Sequence, residues 1–262
     1  MTLYIEPAAI DTDKPCFLYE NIFDQGTVTV SHETADGAGL NAIEDTTFDF
    51  WTPSSVPANI AVDCGVPVPV DCFAIVSHTA GSEGSTIAIQ SSVNGSDWTS
   101  RSTVTPTDDS SIFAIFPQVT ARYWRVLVTD EVCSIGIIKA GARLIMPCGP
   151  LSGHVGINHA KRVELLTNMS QKGQFLGTRV RRVGAETSIN LGLVDRDFVD
   201  TDMVAFEAHF DDGQTFIYAG GPDDYPLDYG YCWRDGGELR PTYDEGGEMM
   251  NIQLNVSVYV EQ

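Results

Sequence analysis

The sequence is short of positive charge. Its 262 residues hold 15 lysines and arginines against 36 aspartates and glutamates, a formal net charge of −21. A surface of that sign repels nucleic-acid phosphates and anionic membranes, so no nucleic-acid partner is expected. Long apolar runs are missing too: nothing approaches the roughly 18 consecutive residues that a spanning helix needs, so no membrane insertion is expected. The start, MTLYIEPAAIDTDKP, has no basic stretch ahead of an apolar segment and does not read as a secretory leader. Six cysteines (Cys16, Cys64, Cys72, Cys133, Cys148, Cys232) include no Cys-x-x-Cys pair. They are expected as thiols filling apolar space, with Cys64 and Cys72 the pair to bridge under oxidation.

Motifs that carry chemistry are equally scarce. There is no nucleophile elbow, Walker loop or dinucleotide-binding glycine pattern. His154 and His159 lie near Cys148 but lack a companion ligand pair, so no metal or other cofactor is expected. Residues 36–45 hold oxygen ligands without the spacing of a calcium-binding loop. In a chain this acidic, neither Asp108-Asp109 nor Asp211-Asp212 stands out as a catalytic pair. The protein is expected not to be an enzyme.

What the chain does have is β-structure. Val28–Val30, Ile60–Val62, Phe73–Val76, Ile87–Gln90, Ile112–Phe116, Tyr123–Val128 and Ile135–Ile138 are apolar or alternating runs between Gly, Pro, Asp and Ser clusters. That pattern predicts an antiparallel β-sandwich. Pro147-Cys148-Gly149-Pro150 punctuates the chain and suggests domains at 1–147 and 148–262. Beyond it, strands are expected at 163–166, 174–183, 188–193, 215–219 and 251–260. The acidic Asp200-Thr201-Asp202 precedes Met203, Phe206 and Phe210, which with Val199 recur at spacings of four, three and four and predict one short helix.

Within the first half, Ser92-Val93-Asn94-Gly95-Ser96-Asp97-Trp98 carries the Asn-Gly signal of a type I′ hairpin. It sits in an ordered set: Trp51 in a loop, Asp63-Cys64-Gly65 at a strand end, the hairpin, Ala121-Arg122-Tyr123-Trp124-Arg125, and a strand closing at Gly141. This order resembles the discoidin-like, galactose-binding-like domains over residues 20 to 146, with Cys64 where leucine is usual. Trp51, Trp98 and Trp124 fit a core, and Arg122 or Arg125 is expected to pair with an acid. The resemblance implies ligand binding, often of sugars, through loops at one end. The loops with hydroxyl-binding side chains are 31–41, 78–84 and 107–111, holding His32, Asp36, Asn41, His78, Glu83 and Asp108.

The second half separates its charges. Lys161, Arg162, Lys172, Arg179, Arg181 and Arg182 face one acid, Glu164, whereas residues 223–248 hold eight acids against Arg234 and Arg240. Opposed blocks suit contact between identical subunits, closing into a ring. Lys172, Arg179, Arg181 and Arg182 are the basic candidates for such an interface. Asp223, Asp224, Tyr225, Tyr229, Tyr231 and Trp233, in an aromatic loop, are the acidic and aromatic ones. By overall pattern this half resembles the tail-tube-like domains of phage tail-tip and baseplate proteins of the distal-tail kind. That resemblance implies a structural virion protein, assembled in a host cytoplasm. Its partners would be copies of itself, other tail proteins and host surface polysaccharide. The alternative is a stand-alone carbohydrate-binding protein, or the binding module of a glycan-active enzyme.

Overall fold

Two strands dominate the first half: β4 (Ala58–His78) and β7 (Ile112–Thr129), paired antiparallel along almost their whole length. Each absorbs two of the apolar runs of the sequence, joined through register shifts at Asp63/Val68 and Val70/Cys72. Irregularities of this kind bend a strand, so one strand can serve two layers. The structure, a computed structural model, describes residues 2–151, 154–244 and 246–260, without the side chains of 182 and 183. The chain divides into two compact units, Met1–Ile145 and Met146–Val260.

In the first unit β1 (Thr2–Ile5) pairs parallel with β7. A short β2 (Pro15–Leu18) precedes β3 (Thr27–Val30). After β4 come a single helical turn, α1 (Ala80–Glu83), β5 (Thr86–Ser92) and β6 (Thr99–Val104). β7, β8 (Ile135–Gly141) and β9 (Leu144–Ile145) complete the unit. One layer runs β3-β4-β7-β5-β6. The other uses the far half of β4 and the near half of β7, flanked by β8 and β1. This is the expected β-sandwich. Its core joins residues of both layers, among them Trp51, Phe73, Ile75, Trp124 and Val126. On β7, Trp124, Val126 and Val128 point inward while Tyr123, Arg125 and Leu127 are half-buried, the period-two alternation of a strand.

In the second unit β10 (Lys161–Met169) and β11 (Phe175–Asp195) form a hairpin. Next come α2 (Arg196–Thr201) and α3 (Val204–Asp211), then β12 (Phe216–Gly220), β13 (Tyr229–Arg234), β14 (Thr242–Tyr243) and β15 (Met249–Val258). The strand order is β10-β11-β15-β13-β12, with β14 on β15. Val199, Met203, Phe206 and Phe210 are all buried, the face that their spacing indicates. The helix is nonetheless two pieces, because the chain breaks at Asp202–Met203 and restarts. Asp195 caps the first piece, its side chain accepting from the N–H of Asp197. Phe206 meets Phe216 edge-on at 5.4 Å, which fastens α3 onto the sheet.

Candidate functional site

Strand direction places the candidate loops. The end of β3, the start of β4, the start of β5 and the end of β7 lie together, since Val30 opposes Ile60, Ala58 opposes Val128 and Thr86 opposes Thr129. The loops leaving that end are therefore 31–57, 79–85, 105–111 and 130–134. A chain of hydrogen bonds joins them. Thr34 N–H donates to the Thr52 carbonyl, the Thr52 and Ser134 hydroxyls are 2.8 Å apart, and Ser134 N–H donates to Thr79 Oγ1. Ser82 N–H then donates to Asp109 Oδ1 at 2.8 Å. All three loops singled out in the sequence meet at one end of the sandwich.

Individual residues divide into struts and exposed groups. His78 is a strut: it is buried, its Nε2 donates to the Ser110 carbonyl at 2.8 Å and its Nδ1 accepts from Ala80 N–H at 3.1 Å. Both ring nitrogens are spent on joining two loops, which removes His78 from ligand contact. Asn41 is likewise engaged, its amide donating to the Phe50 carbonyl at 3.1 Å. His32, Asp36, Glu83 and Asp108 are exposed. The Asp108 carboxyl is held below its usual range by the hydroxyl and N–H of Ser110, and so stays an acceptor. Asp45 of the 36–45 stretch is ion-paired with the buried Lys139 at 2.8 Å, so a resident cation already occupies that carboxylate.

One residue escaped the sequence reading. Phe48, in the loop 43–50, is 74% exposed, an aromatic face presented to solvent. Its neighbours Phe50 and Trp51 are more enclosed, Trp51 fully, with its Nε1 donating to the His32 carbonyl at 2.8 Å. Nothing in the order Thr47-Phe48-Asp49-Phe50-Trp51 tells which aromatic turns outward; the tertiary packing of Trp51 decides it.

The Asn94-Gly95 turn lies at the opposite end, beyond Ser92, which opposes Tyr123. It is not a type I′ turn. Among the two residues only Gly95 has positive φ, at 73°. Asn94 instead gathers the loop, Oδ1 accepting from the N–H groups of Ser96 and Asp97 at 2.9 Å each. Trp98 is half-buried rather than core, and Arg125 lies 4.3 Å over its ring. Arg122 makes the ion pair, bidentate to Asp63 at 2.6 and 2.7 Å, and pulls the Asp63 carboxyl down to about 2.

In the second unit Lys172, Arg179 and Arg181 are exposed on the β10–β11 hairpin; the Arg182 side chain lies outside the described residues. The aromatic segment is not a single loop. Asp223, Asp224 and Tyr225 are exposed in a turn, whereas Tyr229 and Tyr231 are buried within β13 and Trp233 is half-buried. Strand pairing of Tyr229–Arg234 with β12 and β15 withdraws these two tyrosines from any docking surface. His154 Nε2 pairs with Asp228 Oδ2 at 2.8 Å, while His159 contacts Asn158. Among the described residues no cluster of three or more His, Cys, Asp and Glu side chains could hold a metal. No helix there is long and apolar enough to cross a membrane. A groove of about 650 Å³ opens at the root of the hairpin, lined by Val155, His159, Lys161 and Glu186 among others.

The loop geometry is that of a sandwich presenting one end. Residues 27–140 match the F5/8 type C domain. The match covers the discoidin-like region and leaves the second unit outside it. Among solved structures, CpGH89CBM32-5 from Clostridium perfringens, in complex with GalNAc-β-1,3-galactose, is 15% identical with a TM-score of 0.41. It is covered over 99% of its chain by 48% of this one. Chitosan-binding module 1 of a chitosanase/glucanase from Paenibacillus sp. IK-5 is 22% identical with a TM-score of 0.40. It is covered over 99% of its chain by 47% of this one. No curated protein sequence matches the chain significantly.

Proposed function

We propose that the first unit is a carbohydrate-binding module, which recognises saccharide hydroxyls at the end where loops 31–57, 79–85, 105–111 and 130–134 meet. The observation that carries this reading is the F5/8 type C match over residues 27–140. The convergence of exposed carboxylates and an exposed phenyl ring at one end supports it. Carboxylates and imidazoles accept or donate to hydroxyl groups, and the face of Phe48 offers an apolar platform for the C–H face of a pyranose. The four loops contain ten Asp and Glu residues and no Lys or Arg. Such a rim disfavours uronates and sulfated glycans and admits neutral or amino sugars. The function is binding, and no catalytic step is assigned to it.

The phage tail-tip reading draws no support from the family match or from the neighbours quoted above, and the carbohydrate-binding alternative takes its place. The test is affinity electrophoresis of the full chain through gels holding a neutral galactan, a partly deacetylated chitin or polygalacturonate. Retardation by one of the first two, relieved in Phe48→Ala, is expected. Passage through all three unretarded, or retardation by polygalacturonate alone, overturns the reading.

A further inference from the structure

The β10–β11 hairpin leaves the second unit as a bare ribbon. β15 pairs with β11 only from Ala185 onward, so residues 175–184 of β11 have β10 as their sole strand neighbour among the described residues. Among the described residues β10 in turn pairs with β11 alone. The ribbon therefore has two open edges, and every residue of β10 is exposed. It extends roughly 30 Å at the usual rise per residue. An isolated two-stranded ribbon is marginal at best in water, because it buries too little apolar surface.

Its two faces differ in chemistry. β10 alternates without interruption, and directly opposed residues share a face. One face carries Val163, Leu165 opposite Val180, Thr167 opposite Thr178, and Met169 opposite Phe175. The two threonine hydroxyls lie 3.3 Å apart, which confirms the register. Met169 and Phe175 are 67% and 66% exposed. The other face carries Arg162, Leu166 opposite Arg179, and Glu164 paired with Arg181 at 3.1 Å across the bulge. The ribbon is amphipathic with its apolar face uncovered.

Charge selects the occupant. Residues 161–182 hold six of the 15 basic residues and one acid, whereas residues 183–260 hold sixteen acids and three basic residues. A basic arm on an acidic body is complementary to another copy of the same chain, and anionic lipid is repelled by the body. We propose that the ribbon is a self-association arm, whose apolar face is covered in solution by a second copy of this chain. The inference is independent of the glycan reading and stands or falls separately from it.

The test is sedimentation velocity of the full chain from about 1 to 100 µM, spanning the usual affinities of specific but reversible complexes. The 28.5 kDa chain is expected to sediment as a multiple of its mass. Leu165→Thr combined with Val180→Thr keeps β-forming residues and should raise the dissociation constant at least about tenfold while leaving thermal unfolding of the monomer unchanged. Arg179→Glu with Arg181→Glu should also weaken association and invert its salt dependence. A monomer throughout the range, or an oligomer indifferent to both variants, overturns the proposal. So does co-sedimentation of the wild type, but not the threonine variant, with phosphatidylcholine or phosphatidylcholine–phosphatidylglycerol vesicles, which would assign the face to lipid.

Discussion

Arg143 lies between β8 and β9 with its side chain wholly buried, and its partner Asp71 sits on β4 with 9% of its side chain exposed. Asp71 Oδ2 accepts from Arg143 Nε at 3.0 Å and Oδ1 accepts from the Arg143 N–H at 2.9 Å; Arg143 Nη2 reaches the Ile10 carbonyl at 3.1 Å. Arg143→Met removes the guanidinium and two of these bonds but keeps the backbone one. A buried carboxylate is then left without its counter-charge, which costs about 3–5 kcal/mol, and the surviving N–H places the expectation near 3. Cys16 beside the pair offers no replacement counter-charge, because a thiol is never cationic, and burial, pushing it up to about 11, keeps it from adding a second anion. Removing both charges with Asp71→Asn and Arg143→Met keeps an acceptor for the residue-143 N–H and should restore stability to within about 1 kcal/mol of the wild type. The assay is urea unfolding near neutral pH, followed by tryptophan fluorescence in a Trp233→Phe background. The signal then comes from Trp51, Trp98 and Trp124 of the first unit alone. A loss under about 1 kcal/mol in the single variant, or a double variant as unstable as the single one, would refute the reasoning and mean that water reaches the pair.

A Cβ at position 81 would meet the Asp108 carbonyl oxygen at 2.1 Å, so Gly81→Ala should displace the 107–111 loop, cost about 1–3 kcal/mol and open that loop to proteolysis. Unchanged proteolysis would show that the two loops are not in contact. The Asp63 carboxyl lies at about 2, below the ordinary 3.8, so its contribution to stability is complete above the ordinary value and is lost as pH falls through about 2. A carboxyl carbon titration by NMR that placed Asp63 near 3.8 would contradict the Arg122 pairing. Asn94→Ala removes the acceptor of two loop N–H groups and should destabilise the first unit by about 1 kcal/mol, read from the same urea curves. Phe206→Ala deletes the ring between Phe210 and Phe216 and should cost the second unit about 3–5 kcal/mol by thermal unfolding.

Much of the fold was legible because local period carries it. The alternation of Tyr123 to Val128 and the four-three-four spacing of Val199 to Phe210 each identify the buried side correctly. Boundaries were less legible. β4 and β7 look like two runs apiece because Asp63–Val68 and Pro117–Thr120 interrupt the apolar pattern, yet the two strands pair again beyond each register shift and so run through as one strand apiece. Tyr229–Arg234 looks like a binding loop because Gly and acids surround it, and becomes a buried strand because β12 and β15 supply its hydrogen bonds.

Composition and period by themselves determined the sign of the surface, the β-rich sandwich and the buried faces of its strands and helices, because those follow from charge and from side-chain direction along a regular backbone. Tertiary structure alone decided which polar groups are free to meet a ligand. His78 and Asn41 have the chemistry for hydroxyl recognition, but His78 is spent on tying two loops together and Asn41 bonds the Phe50 carbonyl of its own loop, whereas Phe48 is released to solvent because Trp51 fills the core in its stead. The bare ribbon of β10 and β11 is likewise a tertiary fact: its segments read as ordinary strands in the sequence, and only the absence of a third strand beside residues 175–184 among the described residues leaves their apolar side chains uncovered.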